Sequence, residues 1–149
     1  MRLYETTPDE ALEEKLIAFS RDWESEDSCW GYRANSREDF EDRRVFLAEE
    51  NGEILAYLFG MTECAKETNS VVAAGTRYFE IEELYVIPSR RSQGVGRALF
   101  RFTEDTIRAE GLAYLMLSTA TKNARAILHF YLDELDMSFW SARLFKRLE

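Results

Sequence analysis

The chain is poor in the residues that build metal sites and covalent frameworks. It has one histidine, His129, two cysteines, Cys29 and Cys64, and two prolines. No cluster of His and Cys stands at ligand spacing, so no metal is expected. Two isolated cysteines do not make a disulfide framework and fit a reducing compartment, so a cytoplasmic location is expected. There is no run of about 18 apolar residues that could span a membrane. The opening stretch MRLYETTPDEALEEK has no basic segment followed by an apolar one, so no signal peptide is expected. Positive charge is also short, with 19 Lys and Arg against 28 Asp and Glu, a net charge of −9. That balance argues against nucleic acid as a partner. It is compatible with cationic substrates, and equally with a merely well-solvated surface.

Apolar residues make up 46% of the 149 positions, enough for a full core, so one domain covering residues 1–149 is expected. Its most informative stretch runs from Glu80 to Glu110, EIEELYVIPSRRSQGVGRALFRFTEDTIRAE. Leu84-Tyr85-Val86-Ile87 ends a strand, Pro88-Ser89 stops it, and Arg91-Ser92-Gln93-Gly94-Val95-Gly96 leads into an amphipathic helix over Gly96–Glu110. The first N–H groups of a helix lack intrahelical acceptors and carry the positive end of its dipole. Gly94 and Gly96 keep side chains out of the way, so the turn suits a pyrophosphate. It is not a dinucleotide fingerprint, because Leu99 occupies the third glycine position, and it lacks the Gly-Lys-Ser/Thr of a P-loop.

Elsewhere, Arg2–Thr6 reads as a strand. A helix is expected from Thr7 as N-cap, with Pro8 at its first position and Glu10 at its third, to about Trp23. The following segment, Asp22 to Asn35, mixes acidic and aromatic residues. Trp23, Glu24, Glu26, Asp27 and Trp30 either wall an amine-binding site or form a solvated loop with aromatic anchors. Ser36 caps a short helix over Arg37–Arg43. Val45–Glu49 and Ile54–Met61 flank Asn51-Gly52, a two-residue hairpin signal. Glu63–Gly75 is a loop and Tyr78–Ile87 a strand. Ala113–Leu117 is a strand covered on both faces, in parallel with it through the crossover helix. Thr121–Asp133 reads as a second helix and Met137–Leu148 as a last strand.

The R-x-x-G-x-G spacing after a strand ending V-x-P resembles the acetyl-coenzyme A motif of the GNAT N-acetyltransferases, and the order of elements is similar to theirs over nearly the whole chain. The resemblance implies a single-domain α/β (α+β) fold: a mostly antiparallel mixed sheet, one splayed parallel strand pair, and flanking helices. It implies acetyl-CoA as cofactor, its arm lying along Leu84, Tyr85 and Val86 and its pyrophosphate on the amides of Arg91, Ser92, Gln93, Gly94, Val95, Gly96 and Arg97, with Arg90 nearby. It also implies an arm contact from Asn123 and a tyrosine, here Tyr131, that protonates the leaving thiolate. The family spacing places the aromatic at Phe130, so Tyr131 is one residue late unless the helix is irregular; a core role for it stays open. Acetyl transfer to an amine needs a base and an oxyanion donor, the latter expected at the Val86 N–H. Three carboxylates in four strand residues, Glu80, Glu82 and Glu83, supply base candidates, in the order Glu82, then Glu80. In a regular strand Glu80 and Glu82 share one face and Glu83 takes the other, where it helps bind substrate.

The implied activity is N-acetyl transfer to a small cationic amine, aminoglycoside- or polyamine-like, with a homodimer through Phe139–Phe145 as one arrangement. The alternatives are a non-catalytic module that holds coenzyme A or an acyl carrier, and a nucleotide binder using the glycine turn.

Overall fold

The computed structural model describes residues 1–149. Its frame is a five-stranded sheet in the order β1-β2-β3-β4-β5: β1 Arg2–Thr6, β2 Arg44–Glu50, β3 Glu53–Cys64, β4 Arg77–Val86 and β5 Leu115–Leu117. All neighbouring pairs are antiparallel except β4 and β5, which run parallel. The β2–β3 hairpin turns at Asn51-Gly52, both with positive φ (51° and 78°), the combination that matches strand twist in a two-residue loop.

Side chains of β2 alternate between two cores, one on each face of the sheet. Val45 and Leu47 join Tyr57, Phe59 and Tyr85 beneath α1 (Glu10–Glu26). Phe46 and Ala48 join Phe79, Ile81, Leu99 and Phe100 beneath α2 (Val95–Ala109). Helix α1 starts later and ends later than its sequence suggests. Asp9, not Thr7, is the N-cap, its Oδ1 accepting the Leu12 N–H at 2.8 Å. The helix runs past Trp23 to Glu26, and Asp27 closes it in the left-handed region (φ 52°). The expected helix over Arg37–Arg43 is a single 3₁₀ turn, Arg37–Phe40, opened by Asp39 accepting the Ser36 N–H at 2.7 Å.

Three expectations change beyond α2. Strand β5 is only Leu115–Leu117, half-buried at the sheet edge rather than covered on both faces. Residues 138–149 form no strand. Phe139, Leu144, Phe145 and Leu148 are exposed, and their strand-like composition meets no backbone partner. The expected helix over Thr121–Asp133 is α3 (Ala124–Leu128) followed by a π-helical turn, His129–Glu134.

Candidate functional site

The glycine turn sits where β4 hands the chain to α2. A 3₁₀ turn, Pro88–Arg90, ends the strand, and Ser92 and Gly94 take positive φ (59° and 83°) before Val95 begins the helix. The Gln93 Nε2 donates to Ser89 O at 2.9 Å and closes the loop. The first paired amide of the region is that of Ala98, which donates to Gly94 O; those of residues 92 to 97 donate to no acceptor in the protein. They form a run of free donors at the positive end of a 15-residue helix. Gly96 lets this end approach the sheet, since a Cβ there would stand 3.2 Å from Val86 Cγ2. The donor set fits a pyrophosphate, with Ser92 and Arg97 exposed beside it. Arg90 and Arg91 are tied elsewhere. Arg90 pairs with Glu50 at 2.7 Å. Arg91 makes two hydrogen bonds to Glu26, at 2.5 and 2.9 Å, and a third from Nε to Val86 O at 2.8 Å.

Beside the turn the sheet opens. Pairing of β4 with β5 covers only Phe79–Leu115, Glu80–Met116 and Ile81–Leu117. From Glu82 to Val86, through Leu84 and Tyr85, β4 has no strand on that side. The chain after Leu117 turns away, and Thr121 meets Cys29 instead, with Trp30 N–H donating to Ala120 O at 2.8 Å. Asn123 caps α3, its Oδ1 accepting from Ala126 N–H at 3.3 Å. The helix irregularity falls at the aromatic pair. The Leu135 N–H reaches back five residues to Phe130 O at 3.1 Å, the mark of an inserted residue. Tyr131 packs against Phe100 and Phe130, with ring centres 6.3 and 5.1 Å away. Its hydroxyl makes no hydrogen bond, and burial, with Cys29 adding to it, pushes its pKa up to about 12.

The three strand carboxylates part company because β4 is not regular. Phe59 pairs with Glu83 and Gly60 with Ile81, so Glu82 is the extra residue of a β-bulge. The bulge resets the alternation. Ile81 and Leu84 both face the core beneath α2, whereas Tyr85 faces that beneath α1. Glu80 and Glu83 therefore share the α1 face, contrary to the regular-strand expectation, and Glu82 at the bulge is held by Arg43 at 2.5 Å. Glu83 is largely buried. Its Oε2 accepts from Tyr57 Oη at 2.8 Å and from Asn35 Nδ2 at 2.9 Å, and burial raises its pKa against these donors. The Tyr32 hydroxyl is buried close by without a well-formed hydrogen bond. Glu83 is thus a tie between the sheet and the segment after α1, not a free group. Glu80 is half-buried and has neither an ion-pair nor a hydrogen-bond partner. Burial first, then the nearby Glu63 and Glu82, raises its pKa. It faces a cleft of about 690 Å³ whose walls include Glu63, Tyr78, Met116, Ser118 and Trp140.

The acidic segment after α1 is engaged within the protein. Glu24 accepts the Ala34 N–H at 2.7 Å, Glu26 holds Arg91, and Asp27 pairs with Lys122 at 2.8 Å. Trp23 donates to Ser28 Oγ and packs on Tyr32 and Tyr85. Trp30 is exposed, with the Lys122 ammonium 4.7 Å over its ring. None of these residues lines the cleft at Glu80. Sequence reasoning passed over Tyr57, Asn35, Glu63, Tyr78 and Trp140. Their partners lie 15 to 70 positions away, and no local spacing signals them.

A mixed sheet that splits beside a turn of free amides is a fold that this chain shares with proteins of known class. The model of the acetyltransferase (GNAT) family matches residues 7–135, and the chain belongs to that family. It is 31% identical over 108 residues to mycothiol acetyltransferase of Frankia alni, covering 67% of this chain and 32% of that protein; it spans about a third of that relative's length. A mutant of the BH1408 protein from Bacillus halodurans shares the fold, with a TM-score of 0.72 at 20% identity over the whole of both chains. So does an aminoglycoside N-acetyltransferase solved in complex with CoA, with a TM-score of 0.66 at 13% identity over 99% of each chain. No helix is long and apolar enough to cross a membrane.

Proposed function

We propose that the protein transfers an acetyl group from acetyl-CoA to the amine of a small cationic molecule. The observation that carries this reading is the position of Glu80, an unpaired carboxylate that lines a cleft and stands on β4 two residues before Glu82, where the strand has lost its β5 partner. When bound, the cofactor supplies an acetyl group activated as a thioester. The amides of Ser92 to Arg97 hold its diphosphate, with Arg97 adding charge, and the edge at Leu84 and Val86 together with Asn123 receives its arm. Glu80 takes a proton from the acceptor ammonium at its carboxylate, a task its raised pKa suits. Its neighbours are less free, because Glu82 is ion-paired and Glu83 is buried among donors, so the order of candidate bases becomes Glu80 before Glu82. The Tyr131 hydroxyl, neutral at ordinary pH, donates its proton to the departing thiolate.

The experiment is calorimetric titration with acetyl-CoA, followed by thiol release against a panel of amines, on the wild type and on Glu80→Gln and Glu82→Gln. Glu80→Gln is expected to keep cofactor affinity and lose about 100-fold or more in kcat/KM, with Glu82→Gln much milder. The reverse order overturns the assignment of the base. Cofactor binding without thiol release from any amine replaces the enzyme with a coenzyme A-holding module, and no cofactor binding at all removes the reading of the turn.

A further inference from the structure

The cleft at Glu80 has a wall that belongs to no element of the sheet. Trp140 lies in the C-terminal segment, which forms neither helix nor strand. Its indole Nε1 donates to Ser70 Oγ at 2.9 Å, in the loop between β3 and β4, and the residue lines the cleft. Half of the side chain stays exposed, and no lysine or arginine of the protein lies over its face. Trp30, by contrast, already carries Lys122 over its ring. The remaining charged lining is Glu63, Glu67 and Glu80 against Lys66, three negative groups to one positive. Tyr78 donates a hydrogen bond to Glu63 Oε2 at 2.8 Å, from a hydroxyl that brings no positive charge to the cleft. An open indole face beside an excess of carboxylates is complementary to an organic ammonium.

We infer that Trp140 is a specificity-determining residue, selecting acceptors that carry a second ammonium group. One amine faces Glu80, and the other cation rests on the indole face near Glu63 and Glu67. This rests on the reading of the cleft as the acceptor site of an acetyl transfer. A cation–π contact together with the attraction of the nearby carboxylates brings the preference to about tenfold.

The test is calorimetric titration of putrescine, spermidine and the monoamine butylamine into wild type, Trp140→Ala, Trp140→Phe and Ser70→Ala, each with and without coenzyme A. Wild type is expected to bind the di- and triamine about tenfold or more tightly than butylamine. Trp140→Ala brings that ratio to within about threefold. Trp140→Phe keeps most of it, and Ser70→Ala, which only frees the indole, lowers it partway. A half-exposed side chain leaves little cavity, so Trp140→Ala should keep the wild-type melting temperature. Equal affinity for mono- and diamines, a preference intact in Trp140→Ala, or no binding of any polyamine overturns the inference; an intact preference is also what diffuse attraction to a net charge of −9 produces. Thiol release, measured separately, reports on the acetyl-transfer reading. Trp140-dependent binding without release leaves the cation site standing and removes the enzyme.

Discussion

Replacing Gly60 with alanine tests the bulge on which the phase of the acidic strand depends. Gly60 lies in β3, paired on both sides, with Arg44 on β2 and Ile81 on β4. A Cβ built there lies 2.1 Å from the Glu80 carbonyl oxygen, 3.0 Å from its carbon and 3.1 Å from Ile81 Cα. All three contacts are backbone, so no side chain can swing aside. The strands must separate by about 1 Å, or the bulge must move along β4. Ordinary overpacking of a core costs about 1–3 kcal/mol, and this contact belongs at or above the top of that range. For a chain of this size about 3 kcal/mol lowers the melting temperature by roughly 6–12 °C. Urea unfolding followed by tryptophan fluorescence measures the change. Gly31→Ala is the control: its Cβ meets nothing within 4 Å, but its φ of +72° still costs an L residue about 1–2 kcal/mol. If Gly60→Ala is no more destabilising than Gly31→Ala, the close approach of β3 and β4 is not what holds the bulge, and the placement of Glu80 and Glu83 on one face loses its cause.

Two further substitutions probe the buried groups. Glu83→Gln removes an acid whose pKa is raised in the folded chain, chiefly by burial. The wild type therefore loses stability from this group as pH rises from the ordinary carboxylate value through the folded one, and is unaffected by it below that window. Relative to wild type, Glu83→Gln should gain stability between acid and neutral pH; urea midpoints at several pH values measure this, and a difference independent of pH refutes it. Tyr131→Phe deletes a hydroxyl with no partner in the protein, so its melting temperature should match wild type. If that hydroxyl protonates the thiolate, kcat falls about 100-fold while the cofactor dissociation constant stays within twofold; an unchanged kcat makes Tyr131 a core aromatic.

The parts of this protein that were legible in its sequence are those whose physics is local. Asn51-Gly52 is a turn because two adjacent residues tolerate positive φ, and Gly94 and Gly96 mark the start of α2 for reasons confined to six positions. The strand carboxylates were legible as a cluster, but their directions were not. A period of two assumes regular pairing, and the bulge that breaks it forms opposite Gly60, twenty-two positions before Glu82 on another strand. The same holds for Glu83, whose role is decided by Asn35 and Tyr57, 48 and 26 residues away. The C-terminal segment failed in the opposite sense. Phe139, Trp140, Leu144 and Phe145 have strand chemistry, yet a strand is a relation to a neighbour, and β5 offers only three residues to pair. Trp140 instead finds Ser70 and the cleft, and Phe145 finds Trp30, with ring centres 5.2 Å apart. The molecule thus combines one locally coded part, the free amides of the turn, with one assembled part, the cleft at Glu80 drawn from β3, the loop after it, β4, β5 and the C-terminal segment.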